Sequence, residues 1–130
     1  MSDRTIGILG LGIFGSSVLM ALAKQDMNII AIDDHAEHIN QFEPVLARGV
    51  VGDITDEELL RTAGIDTCDT VVVATGENLE SSVLAVMHCK SLGVPRVIAK
   101  VKSQTAKKVL EKIGADSVIS PEYEMGQSLA

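Results

Sequence analysis

The residues of this chain best suited to do chemistry are three glycines in the string Gly10-Leu11-Gly12-Ile13-Phe14-Gly15, directly after the apolar segment Ile6-Gly7-Ile8-Leu9. At this spacing, between a strand and a helix, they make a turn that holds phosphate. Gly10 permits the tight turn, Gly12 lets the backbone approach a diphosphate with no side chain between, and Gly15 lets the helix pack close to the strand. The start of the helix then offers unpaired N–H groups and a partial positive charge to the phosphates. All six residues of the turn, Leu11, Ile13 and Phe14 included, are therefore candidate cofactor-binding positions.

Asp33 closes a second apolar segment, Ile29-Ile30-Ala31-Ile32, eighteen residues after Gly15. A carboxylate there accepts hydrogen bonds from both hydroxyls of an adenosine ribose. It would repel a 2′-phosphate, and no arginine lies nearby to compensate, so NAD or an adenine nucleotide is favoured over NADP. Asp34 is either a neighbour in the same site or a solvated turn residue. Asp53 and Ile54 follow a third short apolar segment on the same sheet edge, where Asp53 can bond the adenine rim or simply cap the next helix. Thr75 and Gly76 end the fourth segment at the expected switch point, and Lys100 ends the fifth as a cation on that edge. His35 and His38, three apart, could share a metal. No third ligand is evident in the sequence, so a solvated polar face is the preferred reading. His88, beside Cys89, is read as helix packing.

These groups need a scaffold, and the apolar pattern supplies one. Strands are expected at 6–9, 29–32, 49–52, 70–74, 97–100 and 117–119, alternating with helices. Thr55, with Glu58 at capping-box distance, is the expected cap of the third helix. The longest helix, from Asn78 to Leu92, is expected to turn Leu79, Val83, Val86 and Met87 to one side, and Gly93-Val94-Pro95 stops it. Six strands alternating with helices predict an α/β fold: a doubly wound, parallel, six-stranded Rossmann sheet with helices on both faces.

The 130 residues suit one domain, and 46% hydrophobic content with 2% aromatic predicts a core of aliphatic side chains. Cys68 and Cys89 show no zinc or redox spacing and read as buried free thiols of a reducing compartment. The N-terminus lacks the pattern of a signal peptide, and no apolar run approaches the roughly 18 residues of a membrane span. A cytoplasmic location is expected. The net charge of −7 argues against nucleic acid as the main partner. It is uneven, −10 over residues 1–89 and +3 over residues 90–130, and Lys107, Lys108 and Lys112 read as a solvated helix face. The ending at Ala130 has the look of a domain cut from a longer protein.

The glycine turn, Ile32-Asp33, Gly52-Asp53-Ile54-Thr55, Val73-Ala74-Thr75, Leu110 to Asp116 and Ser120-Pro121-Glu122 together resemble the regulator of potassium conductance family. Its members are also known as TrkA N-terminal or KTN domains, and the likeness is greatest to KtrA-type gating subunits. The likeness spans essentially the whole chain and implies a non-catalytic cytoplasmic subunit, peripheral to the membrane, that assembles through dimers into a ring, often an octamer. The ring would bind a membrane potassium channel or transporter and change shape with NAD, NADH, ADP or ATP. By position, the three glycines would hold phosphates, Asp33 the ribose, Asp53 the adenine, and Thr75 and Lys100 the rest of the ligand. Glu122 matches a position that binds an interface divalent cation in some members. Two features depart from the family. Ile13 stands where KtrA-like members often carry an arginine for the terminal phosphate, which shifts the expectation toward NAD(H) or ADP, and the family's C-terminal ligand domain is expected to lie outside this chain. The rival reading is the cofactor half of an NAD-dependent oxidoreductase, with Lys100 or His88 as acid–base group, although nothing in the sequence orients either one.

Overall fold

The computed structural model describes residues 4–75 and 78–121. Gly76 and Glu122 lie outside the described residues. The elements run β1 (Thr5–Leu9), α1 (Ile13–Leu22), β2 (Asn28–Asp33), α2 (Ala36–Phe42), a short 3-10 turn, β3 (Arg48–Val51), α3 (Glu57–Ala63), a second 3-10 turn, β4 (Thr70–Val73), α4 (Leu79–Ser91), β5 (Arg96–Lys100), α5 (Gln104–Ile113) and β6 (Ser117–Ile119). All neighbouring strands pair in parallel, in the order β3-β2-β1-β4-β5-β6. The chain winds outward from β1 in both directions, so the crevice between β1 and β4 opens at their carboxyl ends.

Residues alternate between two apolar layers as the period of a strand demands. Ile6, Ile8, Ile29, Ala31 and Val72 pack with Leu19 of α1 and with Ile39 and Phe42 of α2. Leu9, Ile30, Ile32, Val71, Val73, Val97 and Ala99 face the opposite layer, which holds Leu60 of α3, Val86 of α4 and Leu110 of α5. Each fully buried Leu, Ile or Val contributes about 1.5–3 kcal/mol. Helices thus cover both faces, as the alternation predicted. Cys68 and Cys89 are both free and buried. Burial pushes each thiol up to about 12, which keeps them protonated and unreactive at neutral pH.

Two local expectations are corrected. The cap of α3 is Asp56, whose Oδ1 accepts from the N–H groups of Glu58 and Leu59 at 3.1 and 3.3 Å. Thr55 turns back instead, donating its N–H and hydroxyl to Asp53. On α4 the buried stripe is Ser82, Ala85, Val86 and Cys89. Leu79 and Met87 are 42% and 49% exposed. Small side chains at 82 and 85 let the helix lie close to the sheet, and the Ser82 hydroxyl donates to the Thr75 carbonyl at 3.2 Å.

Asp116 ties three elements together on the far side of the sheet. Its Oδ2 accepts from the Val97 N–H at 2.7 Å and the Lys90 ammonium at 3.0 Å. The Val97 N–H first, and then Lys90, hold its carboxyl below the usual carboxylate range. Its contribution is therefore complete above the unfolded pKa of about 3.9 and is lost as pH falls through the lower folded value. Asp116→Asn is expected to lower stability at pH 7 by about 1 kcal/mol, a figure kept small because the carboxylate is partly exposed. It is also expected to flatten the loss of stability on acidification, as read by urea unfolding at pH 7 and pH 3. Equal pH dependence in variant and parent would contradict this.

Candidate functional site

The end of β1 turns sharply at Gly10, whose φ of +99° is favoured only by glycine. A Cβ at Gly10 would also lie 3.1 Å from the Thr75 backbone nitrogen. Leu11 then dives into the core at 2% exposure, anchoring the turn, and Phe14 packs partly buried on the same layer. Gly12 caps α1 without any side-chain hydrogen bond, and no acidic residue sits in the first turn. The helices α3, α4 and α5 differ, being capped by Asp56, Asn78 and Ser103. A Cβ on Gly12 would meet nothing within 4 Å, so the fold itself places no demand for glycine there. Ile13 is 93% exposed.

Asp33 ends β2 beside this turn and is 6% exposed. Its Oδ2 accepts from the Leu11 N–H at 2.7 Å, and its Oδ1 from the His35 N–H at 2.8 Å, with the His38 Nδ1 at 3.0 Å. Burial pushes the carboxyl up, but the Leu11 and His35 N–H groups and the His38 ring outweigh burial and hold it below its ordinary value. Asp33 is therefore a fixed, ionised acceptor. The charge of Asp34 is the main cause that raises the pKa of the exposed His35 ring.

Asp53 follows β3. The N–H and then the hydroxyl of Thr55 bind its Oδ1 at 2.8 and 2.7 Å and lower its pKa. The loop is held from the other side by His88 of α4, whose Nε2 lies 2.9 Å from the Thr55 carbonyl oxygen. His88 thus joins α4 to the loop that aims Asp53. It does not line the cavity that opens between these loops.

A cavity of about 150 Å³ opens between these loops, lined by Gly10, Asp33, Asp34, Gly52, Asp53, Ile54, Thr75 and Ser81. It gathers six of the positions singled out from sequence: Gly10, Asp33, Asp34, Asp53, Ile54 and Thr75. Gly12, Ile13, Phe14 and Gly15 form the neighbouring turn and start of α1. Lys100 is 8% exposed and does not line the cavity. It ends β5, two strands from β1, a spacing of roughly 10 Å. Gly52 and Ser81 were not foreseen as lining. For Ser81 the available signal was its place in the first turn of the helix that follows the switch-point strand.

A parallel sheet wound both ways from β1, with a glycine turn over the crevice and a buried carboxylate at the end of β2, defines a Rossmann-type domain. The family model for the TrkA-N domain matches residues 6–121, and the chain belongs to that family. The likeness to KtrA-type members drawn from the motifs is borne out by two curated relatives. Ktr system potassium uptake protein C of Bacillus subtilis is 35% identical over 98% of this chain, and Ktr system potassium uptake protein A of the same organism is 33% identical over all of it. The chain spans 58% and 59% of the lengths of these two relatives. Among solved structures, the TrkA-N domain of the Escherichia coli inner membrane protein ybaL superposes with a TM-score of 0.87 at 17% identity, covering 99% of this chain and 95% of that one. A Kef C-terminal domain of Shewanella denitrificans, in AMP-bound form, reaches 0.82 at 18% identity, covering 97% and 77%. The GsuK channel bound to NAD reaches 0.76 at 18% identity, covering 91% of this chain and 21% of that one. Among the described residues, no helix is long and apolar enough to cross a membrane.

Proposed function

We infer that this chain is the nucleotide-sensing part of a regulatory subunit of a membrane potassium channel or transporter, and that it binds NAD(H) or an adenine nucleotide across the β1–β4 crevice. The observation that carries this reading is the unfilled start of α1. A ten-residue helix begins at an open glycine with no side-chain cap and no acid in its first turn, next to a buried, ionised Asp33. Helix N–H groups left without a side-chain cap suit a diphosphate, and a fixed carboxylate one strand away suits ribose hydroxyls. The cavity takes the nucleoside end, with Asp53 held toward the adenine, while the phosphates lie over Gly12. Ile13 brings no cation to a terminal phosphate, which supports NAD(H) or ADP over ATP. The names of the Ktr relatives support the link to potassium uptake, and those of the AMP- and NAD-bound neighbours support the ligand class.

In this reading the protein acts without catalysis, on the cytoplasmic side of the membrane, as a homo-oligomer in a ring. The nucleotide acts by binding one ring shape more tightly than the other, so its leverage equals that difference in affinity.

Calorimetry with NAD, NADH, ADP and ATP, on the parent and on Gly12→Ala, tests the ligand assignment. A methyl at position 12 occupies only open space in the protein, so stability is expected to change by no more than about 1 kcal/mol. Affinity for the diphosphate ligands is expected to fall at least tenfold. Unchanged affinity would remove the phosphates from the turn, and a parent that binds none of the four would be a purely structural scaffold.

A further inference from the structure

The pair His35 and His38 lacks a third metal ligand only while the sequence is read along the chain. In the fold the third group is Asp33. Its Oδ1 has the His38 Nδ1 at 3.0 Å and the His35 Nδ1 at 3.3 Å, and the three donor atoms lie within 4.8 Å of one another. The same oxygen also accepts the His35 N–H at 2.8 Å. Three nitrogens therefore crowd an oxygen with two lone pairs, and two of them are imidazole nitrogens aimed by the same ring position. A single cation in place of the two ring protons would satisfy all three side chains at once.

We propose that Asp33, His35 and His38 form a binding site for a divalent transition-metal ion of the zinc type. Bonds of about 2.0–2.1 Å to nitrogen and oxygen set donor atoms roughly 3.3–3.4 Å apart around a tetrahedral centre. The two separations on Asp33, 3.0 and 3.3 Å, already approach that spacing. Two imidazoles and one carboxylate suit zinc, cobalt or nickel, whereas magnesium and calcium take shells of oxygen. The anchor is rigid, because Asp33 is buried and its other oxygen is held by the Leu11 N–H. The side chains of His35 and His38 are 61% and 36% exposed, so an ion enters from solvent and keeps an open position for water. Asp34, whose Oδ1 lies 2.7 Å from the His35 Nδ1, stands on the outer side as the competing acceptor.

The site shares Asp33 with the ribose, a consequence that rests on the nucleotide reading above. A metal on Oδ1 takes up the charge and lone pairs that ribose hydroxyls require, so metal and nucleotide exclude each other. The ion thereby becomes a second input to the same crevice.

Cobalt(II) titrated into the untagged protein without nucleotide, followed by its visible d–d absorption, tests the site. One ion per chain is expected, with affinity at least tenfold weaker in His38→Gln and in His35→Gln. Both variants should unfold within a few degrees of the parent, since His35 is exposed, His38 is half-buried and glutamine keeps a polar group at each position. Binding that is absent from the parent, or equal in the parent and both variants, overturns the site. AMP, a weak chelator, is then titrated into metal-free and cobalt-loaded protein. At least tenfold weaker binding to the loaded form is expected, and equal affinity overturns the sharing of Asp33. If AMP fails to bind the metal-free protein, the nucleotide reading and the competition fall together, and the cobalt titration alone decides the metal site.

Discussion

Gly15→Ala is expected to destabilise the protein by about 3 kcal/mol or more and to abolish nucleotide binding. A Cβ at position 15 would overlap the carbonyl oxygen of Gly10 and would press on Ala74 Cβ at 3.1 Å. The first obstacle is backbone, which cannot swing aside as a side chain can. Relief requires α1 to back away from β1, opening the layer formed by Leu11, Leu19 and Phe14. Overpacking of a core commonly costs about 1–3 kcal/mol, and a backbone collision belongs at or beyond the upper end. Against a total stability of about 5–15 kcal/mol, the loss is large enough to read directly as a shift in urea midpoint. Gly12→Ala is the natural companion. It adds the same methyl three residues earlier, where nothing lies within 4 Å. The pair therefore separates a glycine required by packing from one required by a ligand, and a Gly15→Ala variant with the parental midpoint would refute the packing account.

Asp33→Ala is expected to weaken NAD or ADP binding about 100-fold. A charged acceptor contributes about 1.5–3 kcal/mol per hydrogen bond, and each 1.4 kcal/mol is tenfold in affinity. Two ribose hydroxyls, partly offset by the cost of desolvating the carboxylate, give that magnitude. The same change removes the acceptor of the buried Leu11 N–H and should destabilise the fold by about 1–3 kcal/mol. Asp33→Asn separates the two effects. Its amide oxygen still serves Leu11 while its NH2 faces the His35 N–H, so only part of the stability should return, and the lost charge keeps affinity low. Calorimetry beside thermal unfolding reads both. An Asp33→Asn variant that binds NAD like the parent would show that the ribose lies elsewhere.

Much of this was legible in the chain because it depends on local pattern. The apolar period of two marks β1, β2, β4 and β5, and the glycine spacing marks the strand-to-helix turn wherever the fold places it. Asp33 was legible for the same reason: it ends an apolar strand one crossover after the turn. Local reading failed where a residue has two short-range options. Thr55 and Asp56 are both acceptable helix caps, and the choice is made by Asp53, which captures Thr55 and leaves Asp56 to cap α3. On α4, Leu79 and Met87 look like core by composition, yet the sheet selects the stripe through Ser82 and Ala85, because small side chains allow close approach.

Residue type and spacing within a few turns of chain were enough to read the fold class, the glycine turn between β1 and α1 and the carboxylate at the end of β2. Which groups share a volume follows instead from how the elements pack in space. Strand order sets Lys100 away from the cavity while leaving it on the expected sheet edge. The same packing brings Ser81 and Asp53 to one crevice and sends His88 across to the Asp53 loop. It also turns the Asp33 carboxylate toward two histidines. Such convergence depends on how strands and helices lie against one another in space, and separation along the chain does not encode it.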